Sequence, residues 1–490
     1  MLRLLTEPRT ARWVPSSCLL ALYKVRSKRV VFDGVAAFGP QEKAGVNVTE
    51  KPPQPLRTRA HSLGAPIRHG RLQRRGPWQT VRVALVFSVS VLLVSGGTIA
   101  AVATWDVASS VKPGVHLAHL ADTPGSTAAP AADVAAISGG VDLLLTGTDT
   151  RSGQGGAFAT GAGLAGSSGA GNNDVTLLLH ISKNHQNVSV ISFPRDLMIP
   201  VPACPQSDGS TASASSRVML NATLARGGLS CVVLTIEKLT GVQIPFAAQI
   251  SFDGVSAMSN AIGGVTVCVA SPIDDLYTNP PLHLAAGQQS IVGDMALSFL
   301  RSRHGVGDGS DLGRISNQQV FMAALARKVE TGGVLGNPVM LYSLAKAATD
   351  NMVLSDTLTN PTTQVQIALA LKDTGLANMV FLQYPAVADP QDVNRVIPQK
   401  EGAAVVNAAL VADQPIQLSG APGRAAVLDK SAPAAPNPTP TSLSTPVPGK
   451  TVPATTPTPV QAATPGPGGA VLPATVTGQT AAQQTCSKGN

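Results

Sequence analysis

The sequence predicts an α/β fold, in which a mixed central β-sheet is covered by helices on both faces, with one transmembrane helix before it and disordered termini. Three observations support this. Short apolar runs between residues 141 and 385 alternate with segments of helical periodicity. Several of these runs are apolar at consecutive positions, as in strands buried on both faces. The segments that flank residues 140–413, a linker before them and a tail after them, are rich in Pro and Ala and cannot bury a core. We therefore predict one α/β domain at 140–413.

The elements of this domain follow from local pattern and from glycine or proline boundaries. Strands are predicted at 141–147, 174–181, 187–193, 244–250, 265–270 and 379–385. Helices are predicted at 231–241, 252–264, 291–300, 312–331, 337–350 and 357–372. Strands interleaved with helices are typical of a sheet with helices packed on both sides.

The basic character of the chain comes from its first 82 residues. The whole chain carries a net charge of +8, whereas residues 1–82 contain 16 Lys and Arg against 4 Asp and Glu, so the remainder is net negative. The high isoelectric point therefore describes an N-terminal segment, which we predict to be disordered, and gives no reason to expect a nucleic-acid-binding domain. Five scattered cysteines without a CxxC pair argue against zinc or an iron–sulfur cluster.

Residues 83–104 are uncharged and predominantly apolar, and they are long enough to cross a bilayer as a helix. Five arginines between 68 and 82 precede them and Asp106 follows, so the positive-inside rule places residues 1–82 in the cytoplasm and the α/β domain outside. A cleaved signal peptide fits less well, because the apolar run is long and begins far from the N-terminus. Residues 105–139 are predicted to be a linker, and residues 414–490 a Pro/Thr/Ala-rich disordered tail.

The segment FLRSRHGVGDGSDLGRISNQQ at 299–319 concentrates arginine in a chain with 13% charged residues. Arg301 and Arg303 stand two apart, so in an extended segment both would leave one face. Ser310 or Asp311 is a candidate N-cap for the next helix, on which Arg314 and Gln318 share a face. Three guanidinium groups around a Gly-rich loop can converge on one phosphate, although a solvated surface loop is the alternative.

Further polar groups follow the predicted strands. Asp149 and Arg151 end the first strand, Asp174 begins the second, and Arg195 and Asp196 follow the third. Open α/β sheets bind ligands at strand ends. Two carboxylates there can hold one Mg²⁺, which keeps waters and takes further oxygens from a phosphate. Each feature alone is weak, because a strand-end Asp is more often a turn former or helix cap. Together they predict a site for a lipid-linked pyrophosphate.

The order of these motifs resembles the LytR-CpsA-Psr family of cell-wall phosphotransferases. The resemblance covers roughly residues 141–411 and is carried by TGTDTR, NNDVTLLLHI, VSVISFPRDLMIPVP, FDGVSAMSNAIGGVTVCV and LSFLRSRHGVGDGSDLGRISNQQVF. It implies that Asp149 and Asp174 bind Mg²⁺. It also implies that a glycopolymer phosphate is moved from a polyprenyl pyrophosphate carrier to a peptidoglycan hydroxyl. The pyrophosphate-binding residues are then Arg151, Arg195, Arg301, Arg303, Arg314 and Gln318, and the catalytic group is Arg195, Asp196, Arg301 and Arg303.

Three positions depart from the family pattern. Asn172 and Asn317 stand where relatives usually or often carry Arg, and Met219 stands where they usually carry Lys. Lost cations weaken or narrow anion binding, so a non-catalytic binder of lipid-linked glycans remains an alternative, as does a cell-envelope regulator. A pyrophosphatase side activity would use the same site.

Further predictions concern the role of Asp196, the walls of a polyprenyl-binding site and the pairing of the cysteines. Asp196 is interpreted as orienting Arg195 rather than accepting a proton. Residues 320–329 and 341–348 are candidate walls for the polyprenyl chain, although ordinary amphipathic helices are the simpler interpretation. By analogy with relatives Cys204 pairs with Cys231, whereas Cys268 has no evident partner and Cys486 lies in the tail. The oligomeric state is left open.

Overall fold

The computed structural model describes residues 76–110, 112–120, 139–150, 171–331, 333–334, 336–429 and 469–490. The helices are α1 Pro77–Ser110, α2 Thr223–Thr240, α3 Phe252–Ala261, α4 Asp294–Arg301, α5 Asp311–Thr331, α6 Pro338–Asn351, α7 Pro361–Asp373 and α8 Lys400–Val411. The strands are β1 Val141–Thr148, β2 Asn173–Ile181, β3 Val188–Phe193, β4 Met198–Val201, β5 Cys204–Pro205, β6 Thr211–Ala212, β7 Ser215–Met219, β8 Phe246–Ile250, β9 Val265–Val269, β10 Ile273–Asp275, β11 Leu282–Leu284, β12 Gly287–Ile291, β13 Met352–Leu354, β14 Met379–Gln383, β15 Ala386–Asp389, β16 Asp392–Pro398, β17 Ile416–Gln417, β18 Ala426–Leu428, β19 Ala470–Val471, β20 Gly478–Thr480 and β21 Thr485–Ser487.

Seven strands form the central mixed sheet, in the order β13-β8-β1-β2-β3-β14-β20. Strand β1 runs parallel to β8 and antiparallel to β2, and β3 runs antiparallel to β2 and parallel to β14. The carboxyl ends of β8, β1, β3 and β14 therefore meet at one edge of the sheet, where β2 begins. This is the edge at which open α/β sheets bind ligands.

The sheet buries apolar side chains on both faces, which confirms the predicted fold class. Leu144, Leu178 and Ile191 pack on one face in a cluster with side chains of α2 and α8. On the other face Val190 and Phe381 pack in a cluster with side chains of α5 and α7. Burying each such side chain contributes about 1.5–3 kcal/mol to folding, so the two clusters hold the helical layers against the sheet.

Helix α2 illustrates how local sequence sets the boundaries. Gly241 follows it with φ 78°, a left-handed conformation that glycine adopts without strain, and its amide donates to the Glu237 carbonyl. The helix begins at Thr223, earlier than predicted, with a short first part that Gly227 and Gly228 separate from the rest by non-helical dihedral angles. The predicted helix 231–241 corresponds to the part after this interruption.

Helix α1 contains an apolar stretch at Pro77–Thr98 whose length and composition suit a membrane span, and none of that stretch is buried. The helix continues to Ser110, so the predicted linker at 105–139 begins as helix. Lys346 on α6 donates to the Ser110 hydroxyl at 2.7 Å, and Val115 forms a bridge with Ser355. The predicted disorder of residues 1–82 is wrong for residues 77–82, which form the start of α1, so the helix begins before the predicted residue 83. Residues 1–75, and 111 and 121–138 of the predicted linker, lie outside the described residues.

The predicted domain end at 413 and the disordered tail at 414–490 are wrong for the described residues 414–429 and 469–490. Strand β20 extends the central sheet next to β14, and β21 pairs with β9 in a four-stranded sheet ordered β12-β9-β21-β18. These strands are two or three residues long, too short to show a periodic pattern in the sequence. Strand β20 lies at the edge of the central sheet, whereas β21 lies between β9 and β18, so each is held by pairing with strands distant in the sequence.

The described residues contain two disulfides, and the sequence predicted one of them. The predicted Cys204–Cys231 bond is present. Cys268 is bonded to Cys486 across 218 residues, so the expectations that Cys268 lacks a partner and that Cys486 lies free in a tail are wrong. Cysteine spacing alone does not determine connectivity, and this pair becomes evident only once β21 lies beside β9.

Candidate functional site

A cavity of about 580 Å³ lies between the central sheet and helices α3–α6. Most of its wall is apolar: it includes Leu145, Leu177, Val190, Ile250, Phe252, Met258, Leu297, Phe321, Met322, Leu325, Val329 and Leu344. Residues of both predicted wall segments, 320–329 and 341–348, are in this list. The cavity is therefore an apolar chamber between two layers of the fold.

One part of the cavity wall is strongly polar. Six predicted site residues from four separate segments line it: Asp174, Arg195, Arg301, Arg303, Arg314 and Gln318. Ser251, Asp275 and His304 contribute further polar groups. Arg151 lies outside the described residues, and Asp149 and Asp196 are not among the lining residues. The fold thus gathers the four widely spaced arginines around one chamber, as the motif order predicts.

Asp174 is the acidic centre of this group. Its Oδ1 accepts a hydrogen bond from an Arg195 terminal nitrogen at 2.7 Å, and its backbone carbonyl accepts one from Arg314 at 2.7 Å. Burial disfavours the charge of Arg195 and is the largest single influence on it. The nearby carboxylates of Asp174, Asp311 and Asp196 outweigh burial, so the pKa of Arg195 is raised.

Asp311 is a site residue that the sequence suggested only as a helix cap. Its carboxylate is buried and lies 2.7 Å from Arg314 and 3.6 Å from Arg195. The capping role belongs to Ser310, whose hydroxyl accepts a hydrogen bond from the Gly313 amide. The signal for Asp311 was its spacing of three from Arg314, which brings the two together on the first turn of α5.

The charge of Arg303 is less well compensated by carboxylates than the charge of Arg195. Its pKa is lowered, first by burial and then by repulsion from Arg195, with Asp311 opposing and Arg314 adding to the repulsion. Within the described part of the chain, the Nε atoms of Arg303 and Arg314 are buried without a hydrogen-bond partner. A bound anion would relieve the repulsion and satisfy these donors, because guanidinium groups bind phosphate bidentately.

Arg301 reaches the cavity differently from the prediction. The expectation of an extended segment at 301–303 is wrong, because Arg301 is the last residue of α4 and the chain turns at Ser302. The Arg301 guanidinium carbon lies 4.2 Å from the centroid of the Phe252 ring, a cation–π contact. Gln318 donates to the Leu300 carbonyl at 2.9 Å, which ties α5 to the end of α4.

Asp275 was missed entirely by sequence reasoning. This buried carboxylate accepts hydrogen bonds from the Ser302 hydroxyl and from the Arg303 and Gly305 amides, and a fourth from the Tyr277 amide. It therefore fixes the backbone that carries Arg303. In the sequence it is one of two adjacent aspartates in SPIDDLY, with nothing to separate it from a turn former.

The two predicted metal ligands lie at adjoining strand ends. Asp149 directly follows β1, and its amide donates to the Asn172 carbonyl immediately before β2, on which Asp174 is the second residue. Asn172 donates to the Asp149 carboxylate through its backbone amide at 2.6 Å and through its side chain at 3.3 Å. The donor set consists of carboxylate oxygens, the ligands that Mg²⁺ prefers, so these residues fit that ion.

Asp196 faces arginines. Its carboxylate oxygens lie 3.6 Å from Arg195 and 3.6 Å from Arg395, and its backbone carbonyl accepts from Val396. The interpretation that Asp196 orients Arg195 stays a prediction. Arg395, on β16, was not predicted, because it lies more than 190 residues from Asp196 in a segment without a recognisable motif.

Two of the three positions that depart from the family pattern, Asn317 and Met219, make structural contacts. Asn317 is fully buried, donates to the Phe299 carbonyl at 2.7 Å and accepts from the Ser487 hydroxyl. Met219 ends β7 and pairs with Met198 on β4. At Asn317 the chain therefore has a helix-to-helix hydrogen bond rather than a further cation directed at the cavity.

Comparison with known sequences identifies the family. The LytR_cpsA_psr family model matches residues 118–409, more than half of the chain. The chain belongs to this family. It is 28% identical over 293 residues to the cell wall biosynthesis protein LcpA of Corynebacterium glutamicum, an alignment that covers 56% of this chain and 54% of LcpA. The match to the family model begins at residue 118, before the predicted domain boundary at 140, and so includes part of the predicted linker.

The chain is also similar to a second curated protein and to a solved structure. A polyisoprenyl-teichoic acid–peptidoglycan teichoic acid transferase TagU of Bacillus cereus is 28% identical over 192 residues, covering 39% of this chain and 53% of TagU. The chain thus spans about half the length of these curated relatives. Among solved structures, a LytR-Csp2A-Psr enzyme from Actinomyces oris superposes with a TM-score of 0.43 at 21% identity, covering 62% of this chain and 96% of the other.

Proposed function

We propose that this chain is a membrane-anchored, Mg²⁺-dependent phosphotransferase that moves a glycopolymer phosphate from a polyprenyl pyrophosphate carrier to a peptidoglycan hydroxyl. The observation that carries the proposal is the cavity, because one chamber combines an apolar wall with a polar end that holds four arginines. A polyprenyl pyrophosphate has the same division into an apolar chain and a doubly phosphorylated head group.

The polar end suits the head group in charge and geometry. Asp174 and Asp311 offset part of the charge of the arginines, and repulsion between Arg303 and its cationic neighbours persists. A bound pyrophosphate would offset this repulsion. It also gives the buried Nε donors of Arg303 and Arg314 oxygen acceptors, which is favourable in a site of low dielectric constant.

The apolar wall suits the chain. Val190 and Leu177 from the sheet face Met322 and Leu325 from α5 across the chamber. Each buried methylene of a bound chain contributes about 0.8 kcal/mol, so several isoprene units give substantial affinity without any polar contact. Helix α1, with its exposed apolar stretch, would hold the domain at the membrane from which such a lipid enters.

The transfer itself needs charge stabilisation and alignment. The acceptor hydroxyl oxygen forms a bond to the glycan-linked phosphorus, the bond from that phosphorus to the bridging oxygen breaks, polyprenyl phosphate leaves, and the hydroxyl proton is released. Arg301, Arg303 and Arg314 would offset the charge that develops on the phosphoryl oxygens and on the leaving phosphate. Arg195, held by Asp174 and Asp196, would orient the pyrophosphate.

Asp149 and Asp174 would hold Mg²⁺, which supplies Lewis-acid stabilisation of phosphate oxygens when bound. Both carboxylates accept hydrogen bonds from neighbouring side chains, Asp149 from Asn172 and Asp174 from Arg195. These contacts fix the two side chains at the strand ends. Water in place of the acceptor hydroxyl would give the pyrophosphatase side activity.

The names of the relatives support the choice of substrate class. LcpA is named as a cell wall biosynthesis protein, and TagU as a teichoic acid transferase acting on peptidoglycan. For this chain we propose a lipid-linked glycopolymer as donor and peptidoglycan as acceptor.

The test is turnover of a polyprenyl pyrophosphate-linked glycan by the purified full chain with Mg²⁺ and peptidoglycan fragments. We expect Asp149→Asn and Asp174→Asn to abolish Mg²⁺-dependent transfer while the circular dichroism spectrum is retained. Arg303→Ala is expected to lower kcat/KM by 10²-fold or more, on the order of losing one transition-state donor. Arg226→Ala is the matched control, because this arginine donates to the Ser213 carbonyl and does not line the cavity.

A second candidate is a non-catalytic binder of lipid-linked glycans. The observation that favours it is Asn172, which stands where relatives usually carry Arg and donates to Asp149 instead of adding a cation. The same assay separates the two, since a binder would retain the labelled lipid without releasing polyprenyl phosphate. Full activity in both aspartate variants would contradict the metal-dependent mechanism.

A further inference from the structure

The loop that carries Arg303 is held by a segment from the far end of the described chain. We call residues 302–309 the arginine loop and residues 485–490 the C-terminal clasp. Gly307 donates to the Lys488 carbonyl at 3.0 Å, the Asn490 amide donates to the Gly305 carbonyl at 3.1 Å, and its side chain donates to the His304 carbonyl at 3.0 Å. The clasp therefore runs along the arginine loop through backbone hydrogen bonds.

A second support holds the same loop through different groups. Asp275, at the end of β10, accepts from the Arg303 and Gly305 amides. Gly305 thus donates to Asp275 while its carbonyl accepts from Asn490. The arginine loop is fixed between the β10–β11 hairpin and the C-terminal clasp, so the position of Arg303 depends on both.

The clasp also contacts the helices that carry the other arginines. The Ser487 hydroxyl donates to the side-chain oxygen of Asn317 on α5, and Asn317 donates to the Phe299 carbonyl in the last turn of α4. Ser487 and Asn317 are both fully buried. Displacing the clasp would take the Ser487 donor away from this buried amide oxygen, which is unfavourable.

The clasp itself has only short secondary structure to hold it. Strand β21 pairs with β9 at two positions, Cys486 with Cys268 and Ser487 with Val269, and with the three residues of β18 on its other side. The Cys268–Cys486 disulfide lies at this pairing and fixes it covalently. Gly489 passes so close to Pro272 that an added Cβ would lie 2.1 Å from the Pro272 carbonyl oxygen, so the clasp has one close-fitting position.

We propose that the C-terminal clasp is a positioning element of the anion site, and that the Cys268–Cys486 disulfide keeps it docked against the arginine loop. The affinity of the site for pyrophosphate then depends on this bond in addition to the hydrogen bonds of the clasp. The proposal rests on the anion-binding part of the proposed function and does not depend on which glycopolymer is transferred.

The test uses the full chain in lipid nanodiscs and inorganic pyrophosphate as the probe, by isothermal titration calorimetry well below the Tm of every variant. In Cys268→Ala/Cys486→Ala we expect the clasp to be docked in only about one tenth of the molecules. The apparent Kd for pyrophosphate then rises about ten-fold, because only the docked form binds well. Cys204→Ala/Cys231→Ala is the matched control, since that disulfide joins β5 to α2 and neither cysteine lines the cavity. We expect the control to lower Tm and leave the pyrophosphate Kd unchanged.

A second variant keeps the disulfide. Gly489→Ala clashes with Pro272 and is expected to weaken pyrophosphate binding in the same direction. Equal pyrophosphate affinity in the wild type, in Cys268→Ala/Cys486→Ala and in Gly489→Ala would overturn the clasp proposal and leave the proposed function intact. So would an equal loss in both disulfide variants, because that would be a general effect of stability. If the wild type itself does not bind pyrophosphate, the anion site and the clasp proposal both fail.

Discussion

The variant Asp275→Asn tests whether the Asp275 carboxylate holds the backbone that carries Arg303. The buried carboxylate accepts three hydrogen bonds on Oδ2, from Ser302, Arg303 and Gly305, and one on Oδ1 from Tyr277. Asparagine can keep its oxygen towards the three donors, but its NH₂ group then faces the Tyr277 N–H. One charge-assisted hydrogen bond is lost, about 1.5–3 kcal/mol, and the others become weaker neutral bonds. We expect the free energy of unfolding to fall by about 3 kcal/mol.

The assay is thermal unfolding followed by circular dichroism, with pyrophosphate binding measured in parallel. In a domain of this size 3 kcal/mol lowers Tm by about 6 °C at pH 7. Asp274→Asn is the control, because Asp274 is the preceding residue of β10, is exposed and contacts His283 instead of the arginine loop. Equal Tm values for the two variants, or wild-type pyrophosphate affinity in Asp275→Asn, would refute the reasoning.

The pH dependence gives this prediction a second check. Burial opposes ionisation of Asp275 and is the largest influence, but the hydrogen bonds it accepts from Ser302, Gly305, Tyr277 and Arg303 outweigh burial and lower its pKa. A carboxylate whose folded-state pKa is lowered stabilises the fold above its unfolded pKa of about 3.9 and loses that contribution as the pH falls through the folded value. The Tm difference between wild type and Asp275→Asn is therefore expected to be full at pH 7 and to shrink below about pH 4.

Three further predictions concern the cavity, a buried histidine and Asp196. Leu325→Trp fills the apolar chamber, so it should weaken binding of polyprenyl phosphate by at least ten-fold and leave the Kd of inorganic pyrophosphate unchanged; equal losses would contradict two separate subsites. Burial opposes protonation of His180, but Asp142 and Asp413 outweigh it and raise its pKa, so its stabilisation is full below about pH 6.5 and is lost as the pH rises through the folded value. Urea denaturation should show this decline in wild type and not in His180→Gln; parallel curves would exclude it. If Asp196 orients Arg195, Asp196→Asn should raise the pyrophosphate Kd and the substrate KM; a fall in kcat alone would instead indicate a general base.

The sequence predicted the central sheet well because its strands and helices carry strong periodic patterns. Strands β1, β2 and β3 lie within one residue of their predicted bounds, and α5 and α6 match similarly. The arginines were found because guanidinium groups are conspicuous in a chain with few charges. Their convergence is a property of the topology, which places the ends of β1, β2 and β3 opposite the start of α5.

The residues that hold the arginines in place were not recognised as site residues, because they carry no distinctive sequence pattern. Asp275 and Asp311 act through backbone amides and neighbouring arginines, and an isolated aspartate has the same sequence signature whether it caps a turn or holds a loop. The C-terminal clasp is a few residues long, and its pairing with β9 spans more than 200 residues. A Pro-rich segment before it indicates the end of a domain by composition, whereas the chain returns to the fold beyond it.

The most direct measurement is a crystal structure of the protein with a polyprenyl pyrophosphate analogue and Mg²⁺. We predict that the two phosphates lie within hydrogen-bond distance of the four cavity arginines, Arg195, Arg301, Arg303 and Arg314. We also predict that the isoprenoid chain lies against Met322 and Leu325. A head group bound away from these arginines, or a chain that lies outside the chamber, would contradict these predictions.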